Sequence, residues 1–125
     1  MLIVLLVGVG GLVGAVMRHL VGGWAHELSG NSLFPYGTLA VNVLGCFLIG
    51  LLAGFAETRH TLSAETRALL IIGLLGGFTT FSAFGYETIT LARDGALFQA
   101  AANVGLNVAL GLGAVLLGLG ASEWA

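Results

Sequence analysis

Nine consecutive residues, Gly76-Gly77-Phe78-Thr79-Thr80-Phe81-Ser82-Ala83-Phe84, carry groups that can hold an ion inside a membrane. They fall in the middle of a hydrophobic segment long enough to cross a bilayer. Two glycines, two threonines and a serine there predict an interrupted helix. Irregular backbone at membrane depth is tolerated only where protein buries it or where it lines a cavity. An interruption frees carbonyls, and carbonyls without an N–H partner can coordinate a cation. The plainer reading is a glycine-rich kink whose open groups the Thr79 and Thr80 hydroxyls satisfy. Phe81 and Phe84 are three apart, share one face beyond the interruption and flank Ser82. Such a stripe commonly packs in a core or against lipid. A phenyl ring also has a positive edge. Ring edges with hydroxyl and amide donors can therefore hold a small, strongly hydrated anion without a full counter-charge, weakly enough for release.

Other polar residues fall in the same kind of surroundings. Thr38 and Asn42 are four apart on one helix face, continued by Gly45 and Cys46. Asn103 and Asn107 repeat that spacing further along. A single membrane asparagine commonly makes an interhelical hydrogen bond. Two such pairs on different helices suggest a polar track, because burying amides is costly. Arg18 and Glu87 are the charges nearest to span interiors. They read either as a snorkelling arginine and a carboxylate near a helix end, or as a basic vestibule that attracts anions. His19, His26 and His60 show no metal-ligand spacing and are assigned no chemistry. Cys46 reads as a small packing residue. No Ser/His/Asp arrangement and no phosphate-cradling loop occurs, so an enzyme is not expected.

The elements that must position these residues are helices in a bilayer. Of 125 residues, 58% are hydrophobic and 8% charged, against roughly 25% charged in a soluble domain. Lysine is absent, glycine numbers 21, and the net charge of −2 without a basic run excludes a nucleic-acid partner. The composition is that of an all-α integral membrane protein with residues 1–125 as one four-helix domain. Apolar length predicts spans at about 2–23, 36–56, 67–92 and 96–120. The connections are then 24–35, 57–66 and 93–95, and 121–125 form a tail. Ser63 is placed to cap the third helix, with Glu65 in its first turn. The first apolar run lacks the basic start of a signal peptide and is read as a retained span.

Four spans put both termini on one side. Arg59 and Arg67 fall on that side, and Arg18 and Arg93 on the other. Orientation follows the Lys/Arg bias of short loops, and two against two gives none. The balance fits either a weak signal from few charges or a chain that inserts both ways and pairs antiparallel with itself. Four short helices can hardly enclose an aqueous path alone, whereas larger transporters build one between inverted repeats. Gly10 with Gly14, Gly50 with Gly54, and Gly73 with Gly77 permit close helix contact, within one chain or between two.

These residues carry a resemblance. The chain resembles the Fluc/CrcB fluoride channels over nearly its whole length, through Gly14-Ala15-Val16-Met17-Arg18, Gly37-Thr38-Leu39-Ala40-Val41-Asn42 and the Gly76–Phe84 stretch. The third motif is specific and the first is weak by itself. The resemblance implies an antiparallel dual-topology homodimer in the inner (cytoplasmic) membrane, its third helix broken mid-membrane. It implies passive fluoride export through two pores. It also implies a central structural sodium ion that is not transported, held by the backbone carbonyls of Gly76 and Thr79 from both subunits. Phe81 and Phe84 match pore-lining phenylalanines, and Asn42 matches a pore asparagine. Thr80, Ser82 and Thr38 fall in the polar lining, Asn103 and Asn107 in a fourth-helix track, and Arg18 at a vestibule. Ala83 replaces the commoner threonine of the motif.

Two other readings compete. A small four-helix proton-coupled drug exporter needs a membrane carboxylate, and the first span has none; Glu87 is the one candidate. A non-transporting membrane assembly subunit would carry no ion flux.

Overall fold

The computed structural model describes residues 1–30 and 32–125; Asn31, within the expected first loop, lies outside the described residues. Four helices are long and apolar enough to cross a membrane, and no strand occurs among the described residues. They are α1 (Leu2–Leu28), α2 (Tyr36–Arg59), α3 (Ala64–Arg93) and α4 (Leu97–Trp124). The protein is a multi-pass membrane protein.

The helices outrun the expected spans. α1 continues through Trp24-Ala25-His26-Glu27-Leu28, where a loop was expected. Apolar length marks where hydrocarbon ends, but nothing in those five residues breaks a helix. The stop comes at Gly30, whose φ of 78° admits the left-handed turn that glycine takes without a Cβ penalty. The end of α3 is sharper. The Ala96 N–H bonds the Leu91 carbonyl at 2.9 Å and the Gly95 N–H bonds the Ala92 carbonyl at 3.1 Å. With Gly95 at φ 82° this is a Schellman motif. Ser63 caps α3 as its type and place predict, its Oγ accepting from the Thr66 N–H at 3.1 Å.

Between helices in lipid no hydrophobic drive acts, so close backbone packing carries much of the association. All three glycine pairs pack within the single chain. A Cβ on Gly10 or Gly14 would collide with the backbone of α3 at Leu69 and Leu74. Gly73 and Gly77 answer from α3, meeting the carbonyls of Val7 and Gly11. Gly50 meets the Val115 carbonyl of α4, Gly54 meets Ser122, and Gly118 returns the contact at Phe47. Gly37 lies against the Gly22 carbonyl, joining α1 to α2.

α3 is composite. Its first turn is α-helical, residues Ala68–Leu75 are π-helical, and Gly76–Phe78 return to α geometry. π segments inside helices frequently accompany functional sites. Thr79 (φ −83°, ψ 157°) and Thr80 (φ −148°, ψ 121°) are extended, and helix resumes over Phe81–Arg93. The axis bends by only 14°. The interruption therefore lies at the two threonines. The break expected from Gly76 to Thr79 is narrowed at its start: Thr79 is extended, but Gly76 is helical at φ −62°, ψ −38°. Gly77 is needed for close approach, since a Cβ there would strike Gly11.

Candidate functional site

The interruption is held open from another helix. Asn42 on α2 grips both backbone groups of Thr80: its Oδ1 accepts from the Thr80 N–H at 2.9 Å, and its Nδ2 donates to the Thr80 carbonyl at 3.0 Å. In a continuous helix that N–H would serve the Gly76 carbonyl. The Ala83 N–H, which would serve the Thr79 carbonyl, donates to Thr80 Oγ1 at 3.1 Å. The Gly76 and Thr79 carbonyls are thereby released from the helical ladder. Both hydroxyls stay local: Thr79 Oγ1 donates to the Leu75 carbonyl at 3.0 Å, and Thr80 caps the second half of α3. The kink-satisfying role and the carbonyl-freeing role thus coexist. Space for this geometry comes from Gly45, where a Cβ would overlap the Thr79 methyl.

From Asn42 a chain of amides runs into α4. Asn42 Nδ2 donates to Asn107 Oδ1 at 3.2 Å, and Asn107 Nδ2 donates to the Asn103 carbonyl at 2.8 Å and to Asn103 Oδ1 at 2.9 Å. Asn103 Nδ2 donates to Thr88 Oγ1 at 2.8 Å, and that hydroxyl donates to the Phe84 carbonyl at 2.8 Å. Asn103 is fully buried and Asn107 partly so. The two four-residue spacings are therefore joined in one network. Thr88 is a member that the sequence reading missed; its spacing of four from Phe84, which suits a threonine bonding back to the preceding turn, is the signal that was available.

Two cavities flank the interruption. The first, about 390 Å³, is lined by Asn42, Gly45, Cys46, Leu75, Gly76, Thr79, Thr80, Phe81, Phe84 and Asn107, among others. The Phe81 and Phe84 rings lie 5.4 Å apart, tilted by 52°. Phe81 is 82% exposed on the single chain, so one copy leaves this groove open. The second cavity, about 660 Å³, lies at the end of the bundle that carries the α1–α2 connection. Arg18, His19 and His26 reach it from α1, Thr38 from α2, and Glu87 from α3. Thr38 Oγ1 donates to Glu87 Oε1 at 2.7 Å, while Arg18 Nε and Glu87 Oε2 are buried and unpartnered among the described residues. Thr80 lines both cavities.

The predicted residues are thus distributed. Asn42, Gly76, Thr79, Thr80, Phe81, Phe84 and Asn107 share the groove. Thr38 and Arg18 belong to the mouth at the bundle end. Asn103 supports the groove from a buried position, and Ser82, exposed beside Thr80 at 3.4 Å between hydroxyl oxygens, lines neither cavity. His19 and His26, which show no metal-ligand spacing, line this cavity together with Arg18 and Glu87.

A small four-span membrane protein with an asparagine-held interruption in its third span is the class that this fold and site define. Residues 5–119 match the family model described as "CrcB-like protein, Camphor Resistance (CrcB)". The chain belongs to that family. It is 49% identical over 115 residues to a protein of Rhizobium etli named "Fluoride-specific ion channel FluC", covering 92% of this chain and 91% of the relative. Proteins of the same name from Geobacter sulfurreducens (51% over 107 residues, 86% of each chain) and Chloroflexus aurantiacus (44% over 121 residues, 97% and 95%) are also similar.

Proposed function

We propose that this protein is a fluoride channel, not an enzyme, that carries fluoride passively out of the cell through the inner membrane. The observation that carries the reading is the meeting of two cavities at Thr80, one with a cationic side chain and one with phenyl rings. An anion entering by Arg18 loses water gradually. At Thr80 and Asn42 it meets amide donors already bonded to carbonyl acceptors, so it exchanges one hydrogen bond for another. The first N–H groups of the second half of α3 carry the positive end of a helix dipole. Beyond them, the Phe81 and Phe84 ring edges replace further water. One charge crossing 100 mV gains about 2.3 kcal/mol, so a negative interior expels the anion without ATP.

Two finer features belong to the same proposal. The chain works as an antiparallel, dual-topology homodimer with two pores: the open groove, the exposed Phe81 and the balanced arginines all favour a second copy. A structural sodium ion is held between the copies by the Gly76 and Thr79 carbonyls. The donor chemistry fits, because both oxygens have lost their helical N–H partners. Gly76 is also exposed on the single chain. Such an ion would offset the negative charge of the gathered carbonyls.

The test is efflux from liposomes containing purified protein, followed with a fluoride electrode and, in parallel, a chloride electrode. Fluoride efflux well above that of empty vesicles, with little chloride efflux, is expected. Folded protein that releases no fluoride would sink the channel reading. Exchange of sodium for a larger cation during purification should lower Tm. An unchanged Tm argues against the structural sodium alone.

A further inference from the structure

We infer that Thr88 and Asn103 are positioning residues for conduction: they close a ring of hydrogen bonds that fixes the rotation of the turn carrying Phe81 and Phe84. This rests on the channel reading above. Neither residue lines either cavity. The ring starts at the Thr80 backbone and passes through Asn42 of α2, then Asn107 and Asn103 of α4. It returns to α3 at Thr88 and the Phe84 carbonyl. Its ends at Thr80 and Phe84 stand about one helical turn apart, and both phenylalanines fall within that turn.

Backbone groups fix the direction of every bond in the ring. The Thr80 N–H can only donate, and the carbonyls of Thr80, Asn103 and Phe84 can only accept. Asn42 must therefore turn Oδ1 to the Thr80 N–H and Nδ2 to the Thr80 carbonyl. Asn107 must turn Nδ2 to the Asn103 carbonyl, which leaves its Oδ1 for Asn42. Thr88 must give its hydrogen to the Phe84 carbonyl, which leaves a lone pair for Asn103 Nδ2. The directions set from the two ends agree at Asn103, whose Oδ1 faces Asn107. The second half of α3 needs such a strap. The glycine seam with α1 ends at Gly77, and a Cβ on Gly85 would meet nothing within 4 Å. Thr38 ties this half to α2 through Glu87. Among the described residues, the bond from Asn103 to Thr88 is its one side-chain hydrogen bond to α4. Asn103 is fully buried, so without Thr88 its Nδ2 has no water to turn to. The side chain must then move, and the bond from Asn107 to its Oδ1 goes with it. A phenyl ring is positive at its edge and negative on its face. A rotation of this turn therefore changes what Phe84 presents to an anion.

The experiment is liposome fluoride efflux per folded protein, with Tm in detergent measured alongside. Thr88→Val keeps the shape and removes the hydroxyl. Its efflux should fall about tenfold, a size usual for coupled neighbours, while Thr88→Ser stays within about twofold of wild type. Thr88→Val/Asn103→Leu separates positioning from stability. With both partners apolar, no buried amide is stranded between them, so Tm should recover from its Thr88→Val value while efflux stays low. Efflux that recovers together with Tm overturns the inference. So does wild-type efflux in Thr88→Val, or efflux as low in Thr88→Ser as in Thr88→Val. Thr88→Ala takes the place of Thr88→Val if that variant is not monodisperse, and the comparison with Thr88→Ser decides if the double variant is not. Absence of efflux from the wild-type protein overturns the channel reading and this inference with it.

Discussion

Before Thr79, α3 lies on α1 through glycine Cα atoms and backbone carbonyls. After Thr80 it is tied to α2 and α4 through amide and hydroxyl side chains. Gly10, Gly14, Gly73 and Gly77 leave no room for a polar side chain between the first pair of helices. Asn42, Asn103, Asn107 and Thr88 form a hydrogen-bonded chain along the second. The contrast teaches where adjustment is possible. A seam of backbone on backbone has one geometry, and an added methyl must move a helix. An amide network can trade partners, which the proposed ion path would require. The interruption sits where the rigid half ends and the exchangeable half begins.

The largest expected effect tests the rigid half. Gly14→Leu would drive a side chain into the Leu74 carbonyl and the Phe78 N–H. Overpacking costs about 1–3 kcal/mol even where neighbours can yield, and here the neighbours are backbone. Loss of monodisperse protein on size exclusion is expected; a wild-type profile and Tm would show that the seam is not rigid. Next comes the network. Asn42→Ala leaves both backbone groups of Thr80 and Asn107 Oδ1 without these partners. At about 1–3 kcal/mol for an unsatisfied buried group, moderated by the small values measured between membrane helices, a loss of about 2 kcal/mol is expected, together with loss of fluoride efflux. Thermal unfolding in detergent and liposome efflux measure the two parts. If efflux survives intact, Asn42 is a strut and no part of the path.

Phe81→Ile separates conduction from folding. The exposed ring supports little within one chain, so the elution profile should stay normal while fluoride efflux falls about tenfold, equivalent to about 1.4 kcal/mol on the barrier. Unchanged efflux would remove Phe81 from the pore. The smallest effect belongs to Thr80→Val, which removes the cap on Ala83. Capping losses run about 1 kcal/mol, and a drop in Tm of a few degrees is expected. A drop as large as that of Asn42→Ala would mean that the hydroxyl, and not the amide, holds the interruption.

Much of this was legible in the sequence, for identifiable reasons. The four spans were, because apolar length is a local property. Ser63 was, because a cap needs only its own first turn. The asparagine pairs were half legible: a spacing of four places two side chains on one face, but only the fold brings Asn42 to Asn107. The interruption was read in the right stretch, from Gly76 to Thr79, but its start was set too early and its cause was not visible. Gly76 and Gly77 look like helix breakers, yet glycine in a membrane helix is as often selected for close approach. What opens the helix is Asn42, 38 residues before Thr80 in the chain. No window of sequence around Thr80 contains that cause. The extra five residues of α1 were hidden for a different reason, since hydropathy reports the edge of the hydrocarbon and not the end of hydrogen bonding.

The glycine seam has a consequence for entropy. Ordering a long side chain at a helix contact costs up to about 2 kcal/mol of rotamer freedom, and ordering a glycine side chain costs none. Where Gly14 meets the Leu74 carbonyl and Gly77 meets that of Gly11, no rotamer is frozen. Association in lipid has little solvent entropy to gain, so a contact with none to lose is well matched to its surroundings. The same contact would change little between a cold and a warm membrane, because neither surface has alternative conformers to populate.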